Sequence, residues 1–137
     1  MKKLLFLLAS YLFLSFASVA QPDYKVVFDL TSKDSADQKV LIRWVNEVMN
    51  AEPNAKVEVV MYGQGLALAV KGRSYVADDV VKLAANKNVS FRVCSVAMKN
   101  QNIDQSRLLE GVGTVPDGIY EIISKQRKGW GYIKVKN

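Results

Sequence analysis

The sequence predicts an α/β domain: a mostly parallel sheet of five strands with helices on both faces. Three observations predict it. Five short β-branched runs alternate with amphipathic stretches between residues 24 and 135. The first run, YKVVFDL (24–30), is almost continuously apolar, as a strand buried on both faces of a parallel sheet must be. The chain has 137 residues, half of them hydrophobic, which is enough for one domain with a core of its own.

The elements follow in order. After the first strand, Ser35 with Gln38 three residues on fits a capping box. Val40, Leu41, Trp44, Val45, Val48 and Met49 then recur at helical spacing, and the helix ends near Asn50, ahead of Pro53. KVEVVMY (56–62) is the second strand. Gly63 and Gly65 of the following GQG permit a sharp turn out of it. A second helix spans about 74–86, with Tyr75, Val76, Val80, Leu83 and Ala84 as its apolar stripe. VSFRVCSV (89–96) is the third strand. A short helix and turns fill 97–108, and VGTV (112–115) is the fourth strand. Pro116 and Asp117 open a helix whose buried face is Ile119, Ile122 and Ile123, and Gly129 suits its C-terminal end. WGYIKV (130–135) is the fifth strand.

The first twenty residues stand apart from this domain. Lys2 and Lys3 form a positive start, Leu4 to Phe16 an apolar stretch, and Ser18 and Ala20 the small residues of a cleavage site before Gln21. Residues 1–20 therefore read as a secretory signal peptide and 21–137 as a single exported domain, periplasmic or secreted. That domain is expected to leave the membrane once the leader is cut. Losing Lys2 and Lys3 takes the net charge from +6 to +4. This modest, scattered charge lacks the dense basic stripe of a nucleic-acid binder, so no nucleic-acid partner is expected.

The composition narrows the chemistry. There is no histidine, which removes the usual Ser-His and Cys-His arrangements. One cysteine cannot build a zinc site or an internal disulfide, so no metal and no cofactor are expected. Gly63-Gln64-Gly65 and GVGTVP (111–116) each lack the third glycine of a dinucleotide fingerprint and read as tight turns. In parallel sheets ligands gather at the carboxyl ends of the strands. Thr31–Asp34, Gly63–Gly65 and Cys94 with its following loop should meet there. Cys94 is the one candidate for catalysis. It is either a reactive thiol, favoured by a following helix start and by Lys99 or Arg92, or a small apolar filler of the core.

Four stretches, KVVFDLTS (25–32), VEVVMYGQGLALAV (57–70), NVSFRVCSVAM (88–98) and LLEGVGTVPDGIYEIISKQRKGWGYIKV (108–135), together resemble the DsrE/DsrF-like family of small sulfur-metabolism proteins. The resemblance implies a three-layer α/β/α fold with a five-stranded parallel sheet, and a homo-oligomer, trimer or hexamer. It also implies that Cys94 falls on the strand whose cysteine accepts sulfur as a persulfide in relay members. A sulfur donor or acceptor protein is then the partner. Tyr62 stands where members often have a histidine, and Val96 where they often have an asparagine. Two readings follow. In one, Cys94 carries sulfur after export. In the other, a non-catalytic oligomer binds a small ligand or a partner protein in a pocket formed by Thr31, Tyr62, Gly63, Gln64, Gly65 and Met98.

Overall fold

The computed structural model describes residues 23–136. The signal-peptide reading of residues 1–20 lies outside the described residues. The chain runs β1 (Lys25–Leu30), α1 (Ser35–Ala51), β2 (Lys56–Met61), α2 (Ala77–Ala84), β3 (Val89–Cys94), α3 (Ser95–Asn100), β4 (Gly113–Val115), α4 (Gly118–Arg127) and β5 (Gly131–Lys134). Short 3-10 segments cover Gly63–Ala69 and Gln105–Arg107. The strands form one sheet in the order β4-β3-β2-β1-β5, with every neighbouring pair parallel.

Side chains alternate across the pleat, so each strand serves two different faces. Val26, Phe28, Leu30, Val57, Val59, Met61, Phe91 and Val93 build the main core with Leu41 and Val45 of α1, Leu66 and Leu68, and Val80 of α2. The opposite face is covered more lightly. Val27 and Val60 meet Ile122 of α4, with half-buried Tyr62 and Trp130 at the margin. Asp29 and Glu58 occupy alternate positions on that same face, and both are buried.

This asymmetry corrects part of the sequence reading. Ile122 is buried, but Ile119 and Ile123 are 57% and 47% exposed. A single helix lying on a sheet buries only a narrow stripe, and among the described residues no second helix flanks α4 on this face. Tyr75 is also exposed, because α2 starts only at Ala77 and leaves it in the preceding bend. The capping box does not form. Asp34 is the N-cap residue and makes no side-chain cap. Gln38 is instead buried, donating to the Lys33 carbonyl and accepting the Tyr75 N–H at 2.9 Å. The α4 signals were sound at both ends. Asp117 Oδ1 accepts the Ile119 and Tyr120 N–H groups, and Gly129 follows the helix at φ +81°.

Candidate functional site

The third strand ends at Cys94, two residues short of the sequence-based boundary, because Ser95 already begins α3. The cysteine therefore sits at the carboxyl end of an inner strand of the sheet. Two glycines shape what surrounds it. Gly65 presses against the end of β1: a Cβ there would stand 2.1 Å from the Leu30 carbonyl oxygen. Gly118 lets α4 start directly on the sheet, where an added Cβ would meet Cys94 Cβ at 3.2 Å and Val60 Cγ1 at 3.3 Å. The end of α3 is tied to the GQG turn by Gln101 Nε2, which donates to the Gly63 carbonyl at 2.6 Å.

These contacts leave a cleft of about 240 Å³ between α3, α4 and the end of β2. Cys94, Tyr62, Gly63, Asn100, Gln101 and Asp117 line it, with Val96 and Ile119 at its rim. Cys94 itself is 5% exposed. Among the described residues no lysine or arginine lines the cleft, and the polar residues that do are Tyr62, Asn100, Gln101 and Asp117.

Three of the sequence-based site residues thus meet: Cys94, Tyr62 and Gly63. The others do not join them. Gln64 is exposed on the turn, and Gly65 is buried against β1. Met98 packs into the main core, and Thr31 belongs to a neighbouring cluster. Asn100, Gln101 and Asp117 are additions that no sequence motif marked as site residues: adjacent Asn100 and Gln101 end α3, Asp117 caps α4, and only the fold brings these two helix ends together.

The neighbouring cluster is centred on Asp29. Its Oδ2 accepts the Tyr132 hydroxyl at 2.7 Å and, more loosely, the Tyr62 hydroxyl at 3.4 Å. Its Oδ1 accepts Lys134 Nζ at 3.0 Å, and the same ammonium donates to Thr31 Oγ1 at 2.9 Å. Lys134 also lies 5.6 Å from the centre of the Tyr62 ring. The hydrogen bond to Asp29 pushes the Tyr132 phenol up to about 12, helped by burial and by the carboxylate charge. Tyr62 is raised as well, first by burial and then by Asp29. Both phenols are therefore held as neutral donors, and Tyr62 links this cluster to the wall of the cleft. One signal was legible: Asp29 is a carboxylate inside an otherwise apolar strand.

Among the described residues no group of three or more His, Cys, Asp or Glu side chains could hold a metal ion. No described helix is long and apolar enough to cross a membrane.

The model of the DsrE/DsrF-like family matches residues 25–135, from the first residue of β1 to just past β5. The chain belongs to this family. DsrE-like proteins are also its structural neighbours. MTH1491, a protein of unknown function from Methanobacterium thermoautotrophicum, superposes with a TM-score of 0.77 at 33% sequence identity, over 82% of this chain and 99% of that one. The ychN protein from E. coli superposes with a TM-score of 0.67 at 13% identity, over 82% of this chain and 98% of that one, a likeness of fold alone. No curated protein matches the chain. The expected DsrE-like α/β fold and its five-stranded parallel sheet are thus both present.

Proposed function

We propose that this DsrE/DsrF-like protein is an exported sulfur carrier in which Cys94 takes up one sulfur atom as a persulfide and passes it on. Family membership supports a sulfur-relay-related role. The observation that carries the reading is the position of Cys94: it ends β3 and lines a cleft at the carboxyl ends of parallel strands, where such folds place ligands. The step needs no cofactor and no net oxidation. The Cys94 thiolate attacks the outer sulfur of a donor persulfide R–S–SH. A new S–S bond forms on Cys94, the donor S–S bond breaks, and the R–S⁻ group leaves and takes up a proton. The persulfide is a reversible cap, so an acceptor thiolate can reverse the transfer. Incubation with a small persulfide donor, followed by intact-mass measurement, tests this. Wild-type protein should gain one sulfur and Cys94→Ala none. Equal gain by both proteins overturns the proposal.

A second reading draws on the rim. Val96 and Ile119 are 50% and 57% exposed at the cleft, and Tyr120, next to Ile119 in α4, is 69% exposed, an apolar surface suited to a partner protein or a second copy. In that reading the chain is a non-catalytic homo-oligomer, trimer or hexamer, that binds at the strand ends. Cys94→Ser would then leave ligand-induced thermal stabilisation intact.

A further inference from the structure

The lightly covered face of the sheet contains a buried carboxylate that the cleft does not use. Glu58 lies in the middle of β2, beneath α4. Its Oε2 accepts Lys125 Nζ at 2.8 Å and Ser90 Oγ at 3.0 Å. Its Oε1 is buried with no hydrogen-bond partner. An ionised carboxylate with one dry, unpaired oxygen is an unfavourable arrangement, and water reaching that oxygen would relieve it.

Among the described residues, α4 is the helix packed over this face. Its apolar hold on the sheet is small: Ile122 against Val27 and Val60, with Tyr62 and Trp130 beside them. Its polar hold is Lys125, which also reaches Glu121 Oε1 at 3.4 Å and lies 4.4 Å from the centre of the Trp130 ring. At its other end the same helix carries Gly118 against Cys94 and supplies Asp117 and Ile119 to the cleft. A shift of this one helix therefore acts on both places.

We propose that α4 is a movable cover over Cys94, loosened when Glu58 is ionised and tightened when Glu58 is protonated. The proposal deepens the reading of the Cys94 cleft and rests on it, but its first readout involves no sulfur. The direction follows from linkage. Burial raises the proton affinity of Glu58 in the closed form, and Lys125 only partly offsets this. Proton binding thus favours the closed form, and ionisation favours the form in which water reaches Oε1. The other groups facing Glu58 do not reverse the sign. Glu121 of α4, a second carboxylate on the same lysine, also faces Glu58 directly and raises its proton affinity further. On β3, Ser90 is neutral, and Arg92 lies over Gly113. On β1, Val27 is apolar, and the charge of Asp29 is taken up by Lys134.

The test compares full-length mature protein with Glu58→Gln and Lys125→Met. Two rates are read at neutral pH: hydrogen exchange of the α4 amides, and alkylation of Cys94 by iodoacetamide. Glu58→Gln should slow both several-fold and remove their response to acid beyond the intrinsic chemistry. Lys125→Met strips the counter-ion and should speed both. Unchanged or faster α4 exchange in Glu58→Gln overturns the proposal. Should that variant not fold, unchanged exchange in Lys125→Met overturns it instead. Absence of sulfur loading with α4 exchange still responding removes the sulfur-carrier reading alone. Loading with unresponsive exchange removes the cover alone.

Discussion

Asp29 shows how much one residue can organise. It is a charged side chain in a strand that otherwise reads as core, and it is tolerated because two phenols and an ammonium surround it. Asp29→Asn removes the acceptor charge. The Tyr132 phenol should then titrate near the ordinary value of about 10 instead of about 12, which ultraviolet absorbance can follow. Loss of the charged hydrogen bonds should cost about 2 kcal/mol in denaturant unfolding. The sign of the pH dependence is fixed. A phenol with a raised folded value contributes stability that is whole below its unfolded value, near 10, and is lost as pH climbs toward about 12. Wild-type protein should therefore weaken across that interval more steeply than Asp29→Asn. Asp117 has a simpler role. It caps two N–H groups of α4 while lining the cleft, so Asp117→Ala should lower stability by about 1 kcal/mol in thermal melts.

At the scale of elements, α4 is where packing and charge meet. Lys125→Met leaves Glu58 buried without its counter-ion and should cost about 3–5 kcal/mol at neutral pH. The raised affinity of Glu58 for its proton sets the direction here as well. The group's contribution to stability is full at acid pH, below the ordinary value of 4.5. It is lost as pH rises through the raised folded value. Part of the Lys125→Met defect should thus be recovered on acidification, as urea unfolding at two pH values would reveal. The turn after β2 tests a different constraint. Gly65→Ala drives a methyl into the Leu30 carbonyl, so β1 or the turn must shift, at a cost above about 1 kcal/mol. The periodicities located these elements well, because burial against the main core imposes a strict repeat. They failed for Ile119 and Ile123, whose spacing is correct for a helix with neighbours on both sides. The length of the 3-10 segment Gly63–Ala69 was equally hidden, since its residues face the core without a helical repeat.

Across the whole molecule the two faces of the sheet differ in cover. One carries most of the helices and the core. The other carries, among the described residues, one helix, a set of buried charges and an exposed apolar strip along α4. The strand at the Asp29 edge, β5, is exposed along its length. These surfaces suit the self-association we propose. Replacing Ile119 and Ile123 together by Glu should shift the protein toward the monomer in analytical ultracentrifugation. The fold should survive, because neither side chain is buried.

What the sequence determined by itself is the order of strands and helices, the parallel α/β class and the family. Each of these rests on local periodicity, on turn residues and on long runs of matching positions, which are written along the chain. The placement of Cys94 at a strand end was legible for the same reason. What only the tertiary structure decided is which side chains meet. Asp29 finds Tyr132 and Lys134 from the far end of the chain, Glu58 finds Lys125 across 67 residues, and Gly118 closes on Cys94. These meetings depend on strand order and on which face each helix covers, and no local repeat encodes either.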